Sequence, residues 1–179
     1  MNHIDPTTIA APAIGEAFEG GFFGGLYFPE RRPTAIIVSS KLEGDFTGLW
    51  LKTPKDVPGA TSLVDGMANT VAMAKAGSQI AKKVLGLSIG DRKDWSIPAL
   101  DQLTVLRSTL FPRAGITPAQ TVAEAFQEGG EQAFEQEVYW SSTQYSAAYA
   151  WLQGFRTGGQ YGYGKDCKFR VRAVRTCPL

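Results

Sequence analysis

The sequence predicts an α+β domain of small, twisted, mainly antiparallel sheets with two principal helices and long loops. Three observations carry this expectation. Two short apolar runs, residues 22–28 and 35–40, flank a turn at Arg31-Arg32-Pro33-Thr34 and read as a hairpin. Apolar side chains recur at helical spacing over residues 62–85 and again from Leu100 to Leu110. The last forty residues hold two strand-like segments, 139–143 and 168–175, around a middle rich in glycine and aromatic rings. With 20 glycines in 179 residues, the chain suits a loop-rich architecture better than a helix bundle, and it is long enough to bury a sizeable core.

Residues 1–13 contain prolines and no periodicity, so they are expected to form an extended N-terminal arm. Such an arm is either disordered, the commoner outcome for a terminus, or docked on a neighbouring subunit. Residues 14–179 are expected to form one domain. The glycines that interrupt the first strand lack both the Gly-Lys-Ser/Thr and the Gly-x-Gly-x-x-Gly pattern of phosphate-binding loops. They point to bulges or close packing. Residues 42–58 read as a loop anchored by Phe46, Leu49, Trp50 and Leu51. Val64, Met67, Ala68, Val71, Ala74, Ala81, Val84 and Leu85 mark the first helix, with Gly77-Ser78 as a break in it.

Trp95 reads as a core ring. It leads through Pro98, placed in the first helical turn, to a second helix with Leu100, Leu103, Leu106 and Leu110 on one face and Phe111-Pro112 as its stop. Residues 117–126 form a possible short amphipathic helix, with Thr117 as cap and Pro118 at its first position. The acidic residues Glu124, Glu128, Glu131, Glu135 and Glu137 read as a solvated face rather than a metal site. The final strand, 168–175, alternates Lys168, Arg170 and Arg172 with Phe169 and Val171, which gives one cationic and one apolar face.

Charge and composition exclude several classes of function. The net charge is +1, from 18 basic and 17 acidic residues, so no strong nucleic-acid or membrane electrostatics follow. No apolar run approaches the ~18 residues of a membrane span, and the N-terminus has no signal-like basic and apolar regions. Synthesis in the cytoplasm, no membrane insertion and free thiols at Cys167 and Cys177 are therefore expected. His3, the single histidine, lies in the arm. Ser141 and Ser142 have no neighbouring base, and Asp94, Asp101 and Asp166 are scattered, so no catalytic residue, metal or cofactor is assigned.

The segment between the two late strands has the composition of a contact surface. Tyr145, Tyr149, Trp151, Phe155, Tyr161 and Tyr163 offer large, stiff apolar area with polar tips, and Gln144, Gln153, Thr157 and Gln160 add adaptable hydrogen bonds. Aromatic, glycine-rich loops also occur where rings merely cap a core. The density of rings in a stretch of low hydrophobicity favours the exposed reading.

Three motifs carry a family resemblance. They are Tyr139-Trp140-Ser141-Ser142-Thr143, the run Tyr145-Ser146-Ala147-Ala148-Tyr149-Ala150-Trp151, and Phe169-Arg170-Val171-Arg172-Ala173-Val174-Arg175. Together they resemble the C-terminal segment of C-type-lectin-like domains, among them phage receptor-binding proteins, the variable proteins of diversity-generating retroelements and the C-terminal domain of a Legionella collagen-like adhesin. Trp95-Ser96-Ile97-Pro98 followed by Leu103 resembles the family's Trp-x-x-Pro-x-x-x-x-Leu pattern, and Asp65-Gly66-Met67-Ala68-Asn69-Thr70 extends the likeness upstream.

The resemblance implies a C-type-lectin-like fold and a non-enzymatic phage or prophage tail-fibre or tail-tip protein. Residues 144–166 would bind a bacterial surface receptor, protein or glycan, with the chain displayed as a homotrimer on the virion alongside other tail subunits. The alternative is a virion assembly protein whose aromatic patch contacts another tail subunit. Ala99 and Gln102 stand where the family usually has a hydroxyl cap and a glutamate, which implies weaker capping of the second helix. The cysteine pair of the formylglycine-generating enzymes and the calcium-binding tripeptides of sugar lectins have no counterpart in this chain.

Overall fold

The computed structural model describes residues 11–111 and 121–179. The chain runs β1 (Ala17–Phe18), β2 (Gly21–Tyr27), β3 (Thr34–Val38), a short α1 (Lys41–Gly44), β4 (Asp45–Leu49), α2 (Gly66–Ala76), α3 (Gln79–Leu85), α4 (Leu100–Leu110), β5 (Val138–Gln144), β6 (Tyr149–Gly154), β7 (Gln160–Gly164), β8 (Lys168–Arg172) and β9 (Val174–Pro178). Two sheets result, with strand orders β1-β2-β3-β9 and β4-β8-β5-β6-β7. Strand pairs are antiparallel except β5 with β8. Among the described residues no helix is long and apolar enough to cross a membrane. Residues 1–10 of the expected arm and residues 112–120, which include Pro112, Thr117 and Pro118, lie outside the described part.

The predicted hairpin is present as β2 and β3, from Phe22 opposite Val38 to Tyr27 opposite Thr34, with a register shift between Phe23 and Gly25. The glycines serve that irregularity and the packing above it. Gly25 has φ +129°, and a Cβ at Gly24 would lie 2.4 Å from Leu106 Cδ2, so α4 sits directly on the strand.

The predicted break in the first helix is also found. Asp65 accepts the Ala68 amide at 2.9 Å to start α2. Gly77 at φ +109° ends it, and the Ser78 hydroxyl, accepting from the Ala81 amide, starts α3. In α4 the cap position is Ala99, with Pro98 just before it rather than in the first turn. The missing hydroxyl is supplied from elsewhere: Gln102 Oε1 accepts the Ala99 amide at 2.8 Å and Thr143 Oγ1 of β5 accepts the Leu100 amide at 3.1 Å. The amides at the start of α4 are thus satisfied by one local partner, Gln102, and one long-range partner, Thr143.

Three sequence-based expectations need correction. The loop expected at 42–58 contains α1 and β4. Ser40 caps α1, and β4 takes its order from pairing with β8, Asp45 opposite Arg172 through Leu49 opposite Lys168. The strand expected at 168–175 is two strands in different sheets. The chain switches at buried Ala173, whose amide donates to the Gly44 carbonyl and whose carbonyl accepts from the Ser39 amide.

The cationic face of β8 turns inward along its length: Lys168 is exposed, Arg170 is half-buried and Arg172 is fully buried. Arg172 is fully buried, donates to the Ser39 and Gln132 carbonyls and lies 3.6 Å from Asp45. Arg175 bonds Asp94 at 2.8 Å and the Glu19 carbonyl at 2.9 Å, and it holds the Asp94 carboxyl below the usual carboxylate range. Of the segment expected as an amphipathic helix at 117–126, the described part forms a 3-10 turn at Glu124–Phe126.

One core cluster gathers Trp50, Trp95, Trp140, Ile37, Met73, Val84, Leu152 and Val171 around α2 and α3. The other gathers Ile36, Leu103, Leu106, Leu110, Phe126, Phe134, Tyr139 and Phe155 around α4. Trp95 is the core ring expected of it and donates to the Arg92 carbonyl at 3.0 Å. In the acidic run, Glu135 pairs with Lys41 at 2.7 Å and Glu137 with Arg170 at 2.8 Å. Cys167 and Cys177 are free.

Candidate binding surface

The aromatic segment folds as the last three strands of the five-stranded sheet, with β7 at its edge. β6 and β7 pair without a bulge, from Tyr149 opposite Gly164 to Gln153 opposite Gln160. Strand alternation then assigns each ring to a face. Tyr149 and Trp151 share one face with Gly162. Tyr145, in the turn that follows β5, meets Trp151 edge-on at 4.7 Å and lies over Gly162, where a Cβ would come within 2.8 Å of its ring. Gly162 is therefore a seat for the tyrosine.

Tyr161 and Tyr163 belong to the opposite face, beside Leu152 and Ala150. Tyr163 packs edge-on against Phe169 at 5.2 Å, and Phe169 in turn packs edge-on against the buried Trp140 at 4.9 Å. The exposed rings thus straddle the edge strand rather than lying on one plane. Tyr145, Tyr149, Tyr161 and Tyr163 are each about half exposed, at 57%, 48%, 52% and 50%. Trp151 is half-buried.

The support beneath these rings is polar and buried. The Ser141 hydroxyl donates to the Trp151 carbonyl at 2.8 Å, Thr143 Oγ1 donates to the Ser62 carbonyl at 2.8 Å, and the Asn69 amide donates to the Ser142 hydroxyl at 3.3 Å. These bonds explain why Tyr-Trp-Ser-Ser-Thr reads as a strand yet carries hydroxyls on both faces. Its hydroxyls hold the loop after β4, α2 and β6 to one another.

Residues 45–175 match the Lcl C-terminal domain family. The chain belongs to that family. The span of the Lcl C-terminal domain match begins at β4 and takes in β5, β6, β7 and β8 with the start of β9, hence all of the aromatic segment. The β1–β3 strands precede it and complete the second sheet by pairing with β9. No curated protein matches the chain. Among solved structures, the crystal structure of a fimbrial protein from Bacteroides ovatus ATCC 8483 is similar over 79% of this chain and 35% of that one, with a TM-score of 0.49 and 10% identity. The chain thus spans about a third of that protein's length.

In this Lcl C-terminal domain, seven of the ten residues expected at the contact surface are exposed or half-exposed: Tyr145, Tyr149, Trp151, Thr157, Gln160, Tyr161 and Tyr163. The other three are not at the surface. Phe155 is fully buried, stacked on Phe134 at 4.7 Å and against Tyr139 at 4.6 Å, because the turn after β6 returns it to the α4 core. Gln153 is buried beneath the turn, where its amide donates to the Gly159 carbonyl at 3.2 Å and its oxygen accepts from Gln160 at 3.1 Å. Gln160 also donates to Thr104 Oγ1 of α4 at 2.8 Å, and Thr157 Oγ1 accepts from the Gly159 amide. Gln144 is buried as well. Its oxygen accepts from the Val57 amide at 2.8 Å and from Lys165 Nζ at 2.6 Å, and its amide donates to Asp56 at 2.7 Å.

Lys165 is the residue that composition did not single out. Fully buried, its ammonium also donates to the Lys55 carbonyl at 2.8 Å and the Ala147 carbonyl at 3.0 Å, and it sits 4.7 Å above the Trp50 ring. Burial pulls its pKa down to about 8, with nearby Asp56 acting in the opposite direction. One side chain therefore ties the 55–57 loop, the β5–β6 turn and the end of β7 together. The only sequence signal for it is a single lysine in a segment otherwise nearly without charge. Between residues 144 and 164 the chain carries one charged side chain, Arg156.

A buried charge cluster lies apart from this surface. Buried Asp45 stands 2.9 Å from Arg170 and 3.6 Å from Arg172, with the Tyr139 hydroxyl at 3.4 Å. Burial raises the Asp45 pKa, the two arginines oppose that shift, and burial drives the Tyr139 phenol well above its ordinary value. Every member of the cluster packs within the fold, so the cluster braces β4, β5 and β8 rather than presenting an acid and a base to a cleft.

Proposed function

We propose that the chain is an adhesin-like, non-enzymatic binding protein whose β5–β6–β7 surface contacts a bacterial surface receptor. The observation that carries this reading is the set of half-exposed rings, Tyr145, Tyr149, Trp151, Tyr161 and Tyr163, on paired strands above the buried Gln144–Lys165 network. Rigid aromatic area with polar tips binds at low entropic cost, and single-sign electrostatics are absent, so recognition rests on shape, stacking and hydrogen bonds. Membership of the Lcl C-terminal domain family supports the adhesin-like role. A C-type-lectin-like fold, with two curled sheets and helices flanking a loop-rich receptor end, and display on a phage or prophage tail fibre or tail tip make up the finer form of the proposal.

The test is binding of purified protein to intact bacterial cells and to their extracted surface proteins and glycans. The Trp151→Ala/Tyr149→Ala double variant is expected to lose binding while its melting temperature stays close to wild type, since both rings retain substantial exposure. A folded wild-type protein that binds no surface would overturn the receptor reading and direct attention to another tail subunit as partner.

A further inference from the structure

The edge strand β7 carries a feature that the receptor reading does not use. Its alternate residues point their backbone groups in opposite directions. The Gly154 amide donates to the Gly159 carbonyl and the Lys165 amide to the Ala148 carbonyl, which fixes the odd-numbered residues as those bonded to β6. The N–H and C=O groups of Gln160 and Gly162 and the N–H of Gly164 therefore face away from the sheet. Among the described residues they have no backbone partner, while the Gly164 carbonyl accepts from the Cys167 amide at 3.0 Å. The strand Gln160-Tyr161-Gly162-Tyr163-Gly164 has no proline, no charged residue and no bulge, the devices by which edges are usually blunted.

We infer that β7 pairs with β7 of a second copy of this chain, antiparallel and about a two-fold axis through Gly162. The strand is its own complement in that register. Gly162 faces the partner's Gly162 in a hydrogen-bonded pair of outward groups, and Gln160 faces the partner's Gly164, whose outward amide donates to the Gln160 carbonyl while its own carbonyl is already engaged by Cys167. Tyr161 then stands opposite the partner's Tyr163, twice, on the face where both rings are half exposed. A strand without charge meets its own copy without like-charge repulsion, and aromatic cross-strand pairs are among the favourable ones. A five-residue edge buries less than the roughly 1,000 Å² of a permanent interface, so the association is reversible and concentration-dependent. This two-fold pairing and the trimer expected from the sequence differ in mass, so one measurement distinguishes them.

Sedimentation equilibrium over a concentration series tests this on three proteins. Wild type is expected to move from monomer to dimer. Tyr161→Lys/Tyr163→Lys sets like charges opposite each other twice and is expected to raise the dimer dissociation constant roughly tenfold or more. Tyr161→Lys/Tyr163→Glu sets opposite charges across the same two-fold axis and is expected to recover most of that loss. Both variants change only half-exposed rings, and circular dichroism confirms that each is folded. A wild type that stays monomeric to its solubility limit, a three-fold mass, or a dimer insensitive to both variants overturns the inference. The readout is independent of receptor binding, so failure here and failure of the adhesin reading are separable.

Discussion

Lys165→Met is the substitution on which the account of the surface most depends. The methionine keeps the apolar stem against Trp50 and removes the ammonium. Gln144 Oε1 still receives the Val57 amide, but the Lys55 and Ala147 carbonyls lose a donor that lies 2.8 and 3.0 Å away. Each of these part-buried acceptors costs up to about 1–3 kcal/mol when left without a partner, and relief from burying a cation offsets part of the total. A net loss of about 2–4 kcal/mol is expected, a fall in melting temperature of about 5–15 °C for a chain of this size.

The pH dependence separates this cause from simple repacking. Because the folded-state pKa is lowered to about 8 from the ordinary 10.5, the unfolded chain binds more protons between those values. Stability of the wild type therefore rises with pH through that window, and the gap to Lys165→Met widens. Thermal denaturation of both proteins, followed by circular dichroism at neutral pH and at two points above about pH 8, measures it. A variant that melts with wild type, or a gap that stays constant with pH, would refute the placement of Lys165 as a buried cationic tie.

Three further substitutions test the division between scaffold and surface. Phe155→Ala removes a fully buried ring stacked on Phe134 and Tyr139 and is expected to cost about 3–5 kcal/mol in chemical denaturation, whereas Tyr149→Ala stays within about 0.5 kcal/mol of wild type. Asp45→Ala leaves the buried Arg172 guanidinium without its carboxylate and is expected to cost about 3–5 kcal/mol, measured by the same denaturant midpoint.

The parts of the fold that were legible in the sequence are those whose cause is local. The helices of residues 62–85 and 100–110 show their apolar spacing, and Gly77-Ser78 shows its break, because the left-handed glycine and the serine cap act on adjacent turns. The β2–β3 hairpin is legible for the same reason. What was hidden depends on partners far along the chain. β4 reads as loop because Asp45 and Gly48 are poor strand formers taken alone, and only the register with β8 and the arginines opposite make that strand form. Arg172 reads as one member of a cationic strand face because alternation cannot reveal that Ala173 passes the chain from one sheet to the other.

At the candidate surface, composition located the segment but not the direction of each side chain. Gln144, Gln153 and Phe155 have the same residue types as a contact surface and were turned inward by the bulge in β5, the turn after β6 and the α4 core respectively. Glutamine serves either role equally well, so its identity carries no information about burial until the Val57 amide and Lys165 are in place. The tyrosines are different, because their exposure follows from sitting at a sheet edge that nothing in the described chain covers.

That edge also decides how the two proposed uses of the surface fit together. A two-fold axis through Gly162 in an antiparallel pair runs perpendicular to the sheet, so a face of one copy continues into the same face of the other. Tyr161 and Tyr163 are consumed by pairing on one side. Tyr145, Tyr149 and Trp151 of both copies come to lie on the opposite side, divided by the two central strands at the usual spacing of about 4.8 Å. Self-association would therefore place two receptor patches side by side rather than cover them. A weak single-site contact would gain from that arrangement through effective concentration, provided the receptor presents repeated epitopes. Because Tyr161 and Tyr163 also belong to the proposed receptor surface, the Tyr161→Lys/Tyr163→Lys variant separates the two roles: a loss on a multivalent cell surface larger than the loss against a soluble monovalent fragment of the same receptor reports the loss of pairing. An equal loss in both formats would place Tyr161 and Tyr163 in the receptor contact itself.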